Sequence, residues 1–170
     1  MNKELKMIPE IKTILYASDL SEGSKPAYML AAKEAFKHEA QIVFLNVIEP
    51  ISHATEALLE NYMADAELRA MRGQGIEKIR GLMEQRIDEF NQTCLQDRLP
   101  LQKRPLTRVE SGPAAETIIS VAEEVAADLI VMGTRSRTHS SLGRFLVGST
   151  AQNVMQMTAT PLLVVPLTEG

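Results

Sequence analysis

Gly148-Ser149-Thr150 stands directly before a short helical segment, a place that suits phosphate binding. A phosphate is held by several backbone N–H groups at the positive end of a helix dipole. Gly148 lacks a Cβ, so a ligand can approach its backbone, and the Ser149 and Thr150 hydroxyls are further donors. The same residues also suit an ordinary helix start. Arg135, Arg137 and Arg144 precede the tripeptide, with Ser136 and His139 among them. Arginine binds phosphate oxygens in bidentate fashion, yet such a stretch is equally a solvated loop. Asp19 follows a short apolar run near the N-terminus. A bare carboxylate repels phosphate, so Asp19 suits a ribose hydroxyl, a magnesium ion or the cap of a turn.

Other chemistries lack their parts. There is no Walker sequence, no GxGxxG after the first apolar run and no GxSxG elbow. The three histidines, His38, His53 and His139, have no metal-ligand spacing. No nucleophile is paired with a base, so no catalytic residue is assigned and the expectation is a binding protein rather than an enzyme. Slow hydrolysis of a bound triphosphate stays open, with magnesium bridging the phosphates.

These residues need elements to position them. Ile14–Ala17, Gln41–Ile48, Pro100–Glu110, Asp128–Gly133 and Pro161–Pro166 read as strands, the third half-buried and the third and fifth at edges because of their prolines. Between them run helices: Lys25–His38, capped by Ser24 with Pro26 in its first turn; a long segment from Ser52 to Asn91; Ala114–Ala126; and Ser149–Thr158, with Val154 and Met157 facing inward. Gly73 and Gly75 are expected to interrupt the long segment. After them Ile76, Ile79, Met83, Ile87, Phe90 and Cys94 form one apolar face, making Cys94 a core thiol. Before them, 54–71 reads as a helical excursion in which Met63 and Met71 serve packing. Strict strand–helix alternation predicts an α/β fold, a five-stranded open parallel sheet with helices on both faces, Rossmann-like. Ligands of such sheets bind beyond the carboxyl ends of the strands, where strand order reverses. Asp19, Val47, the stretch from Gly133 and Gly148 would meet there.

The composition agrees. The 170 residues are 45% apolar and 24% charged, with a net charge of -4. That is one ordinary domain filling 1–170, with its core at 11–166, and the acidic balance disfavours nucleic acid as a partner. One cysteine excludes an internal disulfide framework. Met1–Lys12 has no apolar signal region and no run approaches the roughly 18–20 residues of a membrane span, so cytoplasmic localisation is expected.

Asp19, Val131-Met132-Gly133, the run Ser141–Ser149 and Thr160–Pro166 resemble the universal stress protein family, over nearly the whole chain from Ile11 to Pro166. The resemblance implies strand order 3-2-1-4-5 and frequent homodimers; separately, the short apolar edge of the fifth strand, Leu162–Val165, invites pairing with a second copy. The family's ATP-binding branch carries G-x2-G-x9-G-[S/T]. Its nucleotide-contacting places fall on Asp19, Val47, Met132, Gly133, Gly148 and Ser149, to which Arg135, Ser136 and Thr150 are added from their position in the loop. Ser136 stands where the middle glycine would be, counted from Gly133, and the loop is two residues longer than the pattern. The resemblance therefore implies an ATP-binding regulatory protein of the stress response, nearer the ATP-binding branch. Its alternative is a stress-induced dimeric adaptor with a degenerate site and a protein partner.

Overall fold

The computed structural model describes residues 9–93, 101–135 and 148–167. In chain order these form β1 (Thr13–Ala17), α1 (Lys25–His38), β2 (Gln41–Ile48), α2 (His53–Tyr62), α3 (Asp65–Thr93), β3 (Leu106–Ser111), α4 (Ala114–Glu124), β4 (Leu129–Arg135), α5 (Ser149–Met157) and β5 (Leu162–Leu167). The five strands make one parallel sheet ordered β3-β2-β1-β4-β5, as the sequence predicts. β1 is central: Tyr16 lies opposite Phe44 on one side and Val131 on the other. The carboxylate of Asp128 holds the start of β1 by accepting the Lys12 and Thr13 amides at 2.7 and 2.9 Å.

Neighbouring side chains of a strand point to opposite faces, so each apolar strand feeds two cores. Ile14, Tyr16, Ile42, Phe44 and Val131 face α1 and α3. Leu15, Ala17, Val43, Leu45, Ile130 and Met132 face α4 and α5. On the first face, buried alanines (27, 31, 32 and 35) let α1 lie close to the sheet. Tyr28 of α1 packs edge-on against Phe90 of α3, with ring centroids 4.4 Å apart at 89°. Tyr16 and Phe44 extend this aromatic cluster at 4.9 Å. On the second face, α4 buries Ala115, Ile118, Val121 and Ala122.

Several expectations are corrected. Gly73 and Gly75 do not interrupt the long helical segment: α3 runs through both, and a Cβ added at either would meet nothing within 4 Å. A glycine costs a helix only about 1 kcal/mol, which packing by Met83, Ile87 and Phe90 outweighs. The break lies earlier, at Met63 and Ala64, where Met63 is extended (φ -132, ψ 142). There Glu67 accepts the Ala64 amide at 3.3 Å, opening α3. Met71 is 49% exposed, so it packs little. The third strand starts at Leu106, after Pro105, rather than at 100, because proline offers no ladder N–H. β4 continues two residues past Gly133, to Arg135. In α5 the inward residues are Ala151 and Val154, and Met157 is 54% exposed. The apolar face of α5 ends at Val154, and Thr158 after it is the extended C-cap. Ser24 precedes α1 without a side-chain cap bond, because its hydroxyl donates to the Ser21 carbonyl at 2.7 Å. Cys94 lies outside the described residues.

The uninterrupted α3 carries a prediction. Gly73→Ala with Gly75→Ala should stabilise the protein by roughly 1–2 kcal/mol in total, by lowering unfolded-chain entropy where space is open. Thermal unfolding checks this, and a lower Tm would contradict a continuous helix at these positions.

Candidate functional site

A cleft of about 740 Å³ opens at the carboxyl ends of β1, β2 and β4, beside the start of α5. It lies where the strand order reverses, between β1 and β4. Seven of the nine sequence-predicted site residues line it: Asp19, Val47, Met132, Gly133, Gly148, Ser149 and Thr150. Arg135 ends β4, paired in register with Leu167. Ser136, like Arg137, His139 and Arg144, lies outside the described residues.

Each wall has a local cause. After β1, the chain turns sharply. The Ser18 amide donates to the Leu45 carbonyl at 3.0 Å, and the Ser18 hydroxyl accepts from the Leu20 amide at 3.1 Å. Leu20 adopts φ 61, a left-handed conformation that this bond helps to hold. Asp19 Oδ1 accepts the Ser21 amide at 2.9 Å, so one of its oxygens shapes the turn while its exposed carboxylate borders the cleft. Inside β2, buried Asn46 donates to the Ser18 carbonyl at 2.9 Å and fixes the turn to the sheet. Tyr16 also lines the cleft. Burial raises its phenol above the ordinary value, and its hydroxyl donates to the Ser24 carbonyl at 3.3 Å.

On the opposite wall, buried Thr134 accepts the Gly148 amide at 2.8 Å. That bond ties the start of α5 to the end of β4. Gly148 itself is extended (φ -58, ψ 151), a conformation open to any residue, so its value here is the missing side chain. The N-cap position of α5 is Gly148, which has no side chain to cap the helix, and Ser149 and Thr150 lie inside its first turn. The first-turn amides at Ser149, Thr150 and Ala151 sit at the cleft wall with the positive end of the helix dipole. Gly133 has a packing reason: a Cβ there would run into the Leu167 side chain. Val47, Met132 and Ile118 give the cleft an apolar side. Asp19 and Glu49 are its charged side chains among the described residues, and no group of three metal-ligating side chains occurs among them.

Ser18, Asn46 and Thr134 were not singled out from the sequence. Their signal was a polar residue at the carboxyl end of an apolar strand, which is where such sheets place ligand-facing groups.

The profile of the universal stress protein family matches residues 10–166. The chain belongs to the universal stress protein family. Among curated relatives, the universal stress protein in the QAH/OAS sulfhydrylase 3' region of Thermus aquaticus is 32% identical, covering 91% of this chain and 98% of its own. Universal stress protein Sll1654 of Synechocystis is 30% identical over 91% of this chain and 85% of its own. Among solved structures, MJ0577 of Methanocaldococcus jannaschii superimposes with a TM-score of 0.64 at 23% identity, covering 95% of this chain and 99% of its own. A universal stress protein solved in complex with cAMP superimposes at 0.61 with 21% identity, covering 94% and 99%. Both solved structures share the fold. No helix among the described residues of this universal stress protein is long and apolar enough to cross a membrane.

Proposed function

We propose that this universal stress protein is a regulatory binding protein whose cleft holds an adenine nucleotide, with ATP as the first choice. The observation that carries the reading is the start of α5, which opens on a glycine, is anchored by the Thr134–Gly148 bond and borders a cleft of about 740 Å³. Such a helix start favours phosphate oxygens. The apolar side at Val47 and Met132 suits an adenine ring, and Asp19 suits a ribose hydroxyl. Asp19 and Glu49 oppose a polyphosphate by like charge. Magnesium riding on the phosphates would offset that repulsion, since this ion is commonly held by substrate phosphates and few carboxylates. In this reading the protein works by holding the nucleotide, with slow hydrolysis or none.

The same reading places the protein in the cytoplasm as a homodimer paired through β5. That strand is the last of the sheet, so its outer edge is suited to a second copy.

The acidic pair Asp19 and Glu49 favours one alternative, a dimeric adaptor with a degenerate site that acts through a protein partner. Equilibrium dialysis against ATP, ADP and cAMP, each with and without Mg²⁺, separates the two. The nucleotide reading expects ATP to bind at one per chain and more tightly with Mg²⁺. Retention of none of the three at millimolar concentration favours the adaptor.

A further inference from the structure

Arg86, half-buried on α3, reaches a loop whose other side belongs to the cleft. Its Nη1 donates to the Ser21 carbonyl at 3.2 Å, across 65 residues of sequence. Ser21 in turn donates its amide to Asp19 Oδ1 at 2.9 Å. One residue of the loop after β1 is therefore held by a cleft carboxylate at its amide and by an arginine of α3 at its carbonyl. Ser18 and Asp19 line the cleft and Arg86 does not. Arg86 borders a smaller space between α1 and α3, and Tyr16 and Ser24 stand between the two.

The loop needs a hold from outside. Leu20 sits at φ 61, a costly conformation for a residue with a Cβ. The two ends of the loop are tied to the sheet, through Leu45 and Asn46 at Ser18 and through Tyr16 at Ser24. Arg86 reaches the middle. The helix that carries it is firmly placed there. Met83 and Ile87 have no exposed surface, and Glu84 and Asp88 pair with Arg104 at 2.6 and 2.8 Å. A rigid element supports a site more precisely than a loop supports itself, and a guanidinium is a stronger donor than a neutral group. Burial is the largest influence on the Tyr16 phenol; among the smaller ones Asp19 raises it and Arg86 lowers it, so both charges act on this one hydroxyl. The Ser21 carbonyl also accepts the Ser24 hydroxyl at 2.7 Å and the Ser24 amide at 3.1 Å. Without Arg86 that carbonyl would still be paired, so the bond adds position rather than rescuing an orphaned acceptor.

We infer that Arg86 is a positioning residue for the cleft: through the Ser21 carbonyl it holds the loop that presents Asp19 to the ribose of a bound nucleotide. This role rests on the nucleotide reading of the cleft. A loop held in advance spares the ligand the cost of ordering it. Arg86→Met keeps an apolar stem and removes the donor. Titration with ATP and Mg²⁺ should show binding about tenfold weaker than wild type. In an Asp19→Ala background, where the presented carboxylate is gone, the same change should cost less than about twofold. A general loosening of the fold would weaken binding equally in both backgrounds. In the ligand-free chain, amide exchange at Leu20 and Ser21 should be about tenfold faster in Arg86→Met, with Met83 and Ile87 unchanged. Equal affinity in wild type and Arg86→Met, equal losses in the two backgrounds, or unchanged exchange at Leu20 and Ser21 would each overturn the role. The two failures are distinguishable. Wild type that binds no nucleotide ends the reading of the cleft and this role with it, whereas wild type that binds no better than Arg86→Met ends this role alone.

Discussion

Gly148→Val is expected to weaken ATP binding about 100-fold, near 2.7 kcal/mol, while the chain stays folded. The backbone at Gly148 (φ -58, ψ 151) admits valine without strain, and its amide can still donate to Thr134. What changes is the surface. A branched side chain would stand at the mouth of α5, between the first-turn amides and the phosphates they are proposed to hold. Valine is a poorer residue than glycine at a helix start, which costs stability by at most about 1 kcal/mol. Binding and stability should therefore separate. Titration with ATP and Mg²⁺, beside a thermal melt, reads both. Unchanged affinity in a folded Gly148→Val would mean that the α5 start is not the phosphate site.

Ile87→Ala should have the largest effect on stability, roughly 3 kcal/mol, or a fall in Tm of roughly 6–12 °C for a domain of this size. Ile87 has no exposed surface and lies between Met83 and Phe90 on the buried face of α3. In the first half of that helix Leu68 is the buried residue, so the second half fastens α3 to the sheet. Leu58→Ala, on α2, is the control. Leu58 is 58% exposed and α2 buries no residue. Its loss should shift stability by less than about 0.5 kcal/mol. Chemical denaturation of both variants checks the contrast, and equal effects would contradict the docking of α3 through its second half.

The parallel sheet was legible because its strands are continuous apolar runs, such as Ile42–Leu45 and Leu129–Met132, separated by amphipathic helices. Such runs bury both faces, and only a helix-covered parallel sheet does that in a chain of this pattern. The bend between α2 and α3 was not legible. Glycine is the visible helix breaker, but Gly73 and Gly75 sit in open space where a helix tolerates them, whereas Met63 and Ala64 carry no breaker signal. Met157 misled for a related reason. A spacing of three from Val154 fits a helical face, yet Met157 is the last residue of the helix, where the chain turns extended at Thr158 (ψ 141), and it stays 54% exposed.

The cleft was legible in its endpoints and not in its fastenings. Asp19, Gly133 and Gly148 stand out by type. Thr134 and Asn46 act through bonds to backbone groups 14 and 28 residues away, and such pairing has no local signature. Gly133 borders the cleft and has a second role that no sequence motif marks, leaving room for the Leu167 side chain.

The most direct measurement is an amide NMR titration of the wild-type chain with ATP and Mg²⁺. The account predicts saturable shifts clustered at Ser18–Asp19, Val47, Met132–Thr134 and Gly148–Ala151, with the residues of α2 unmoved. No shifts at millimolar ATP, or shifts confined to surfaces away from the start of α5, would contradict it.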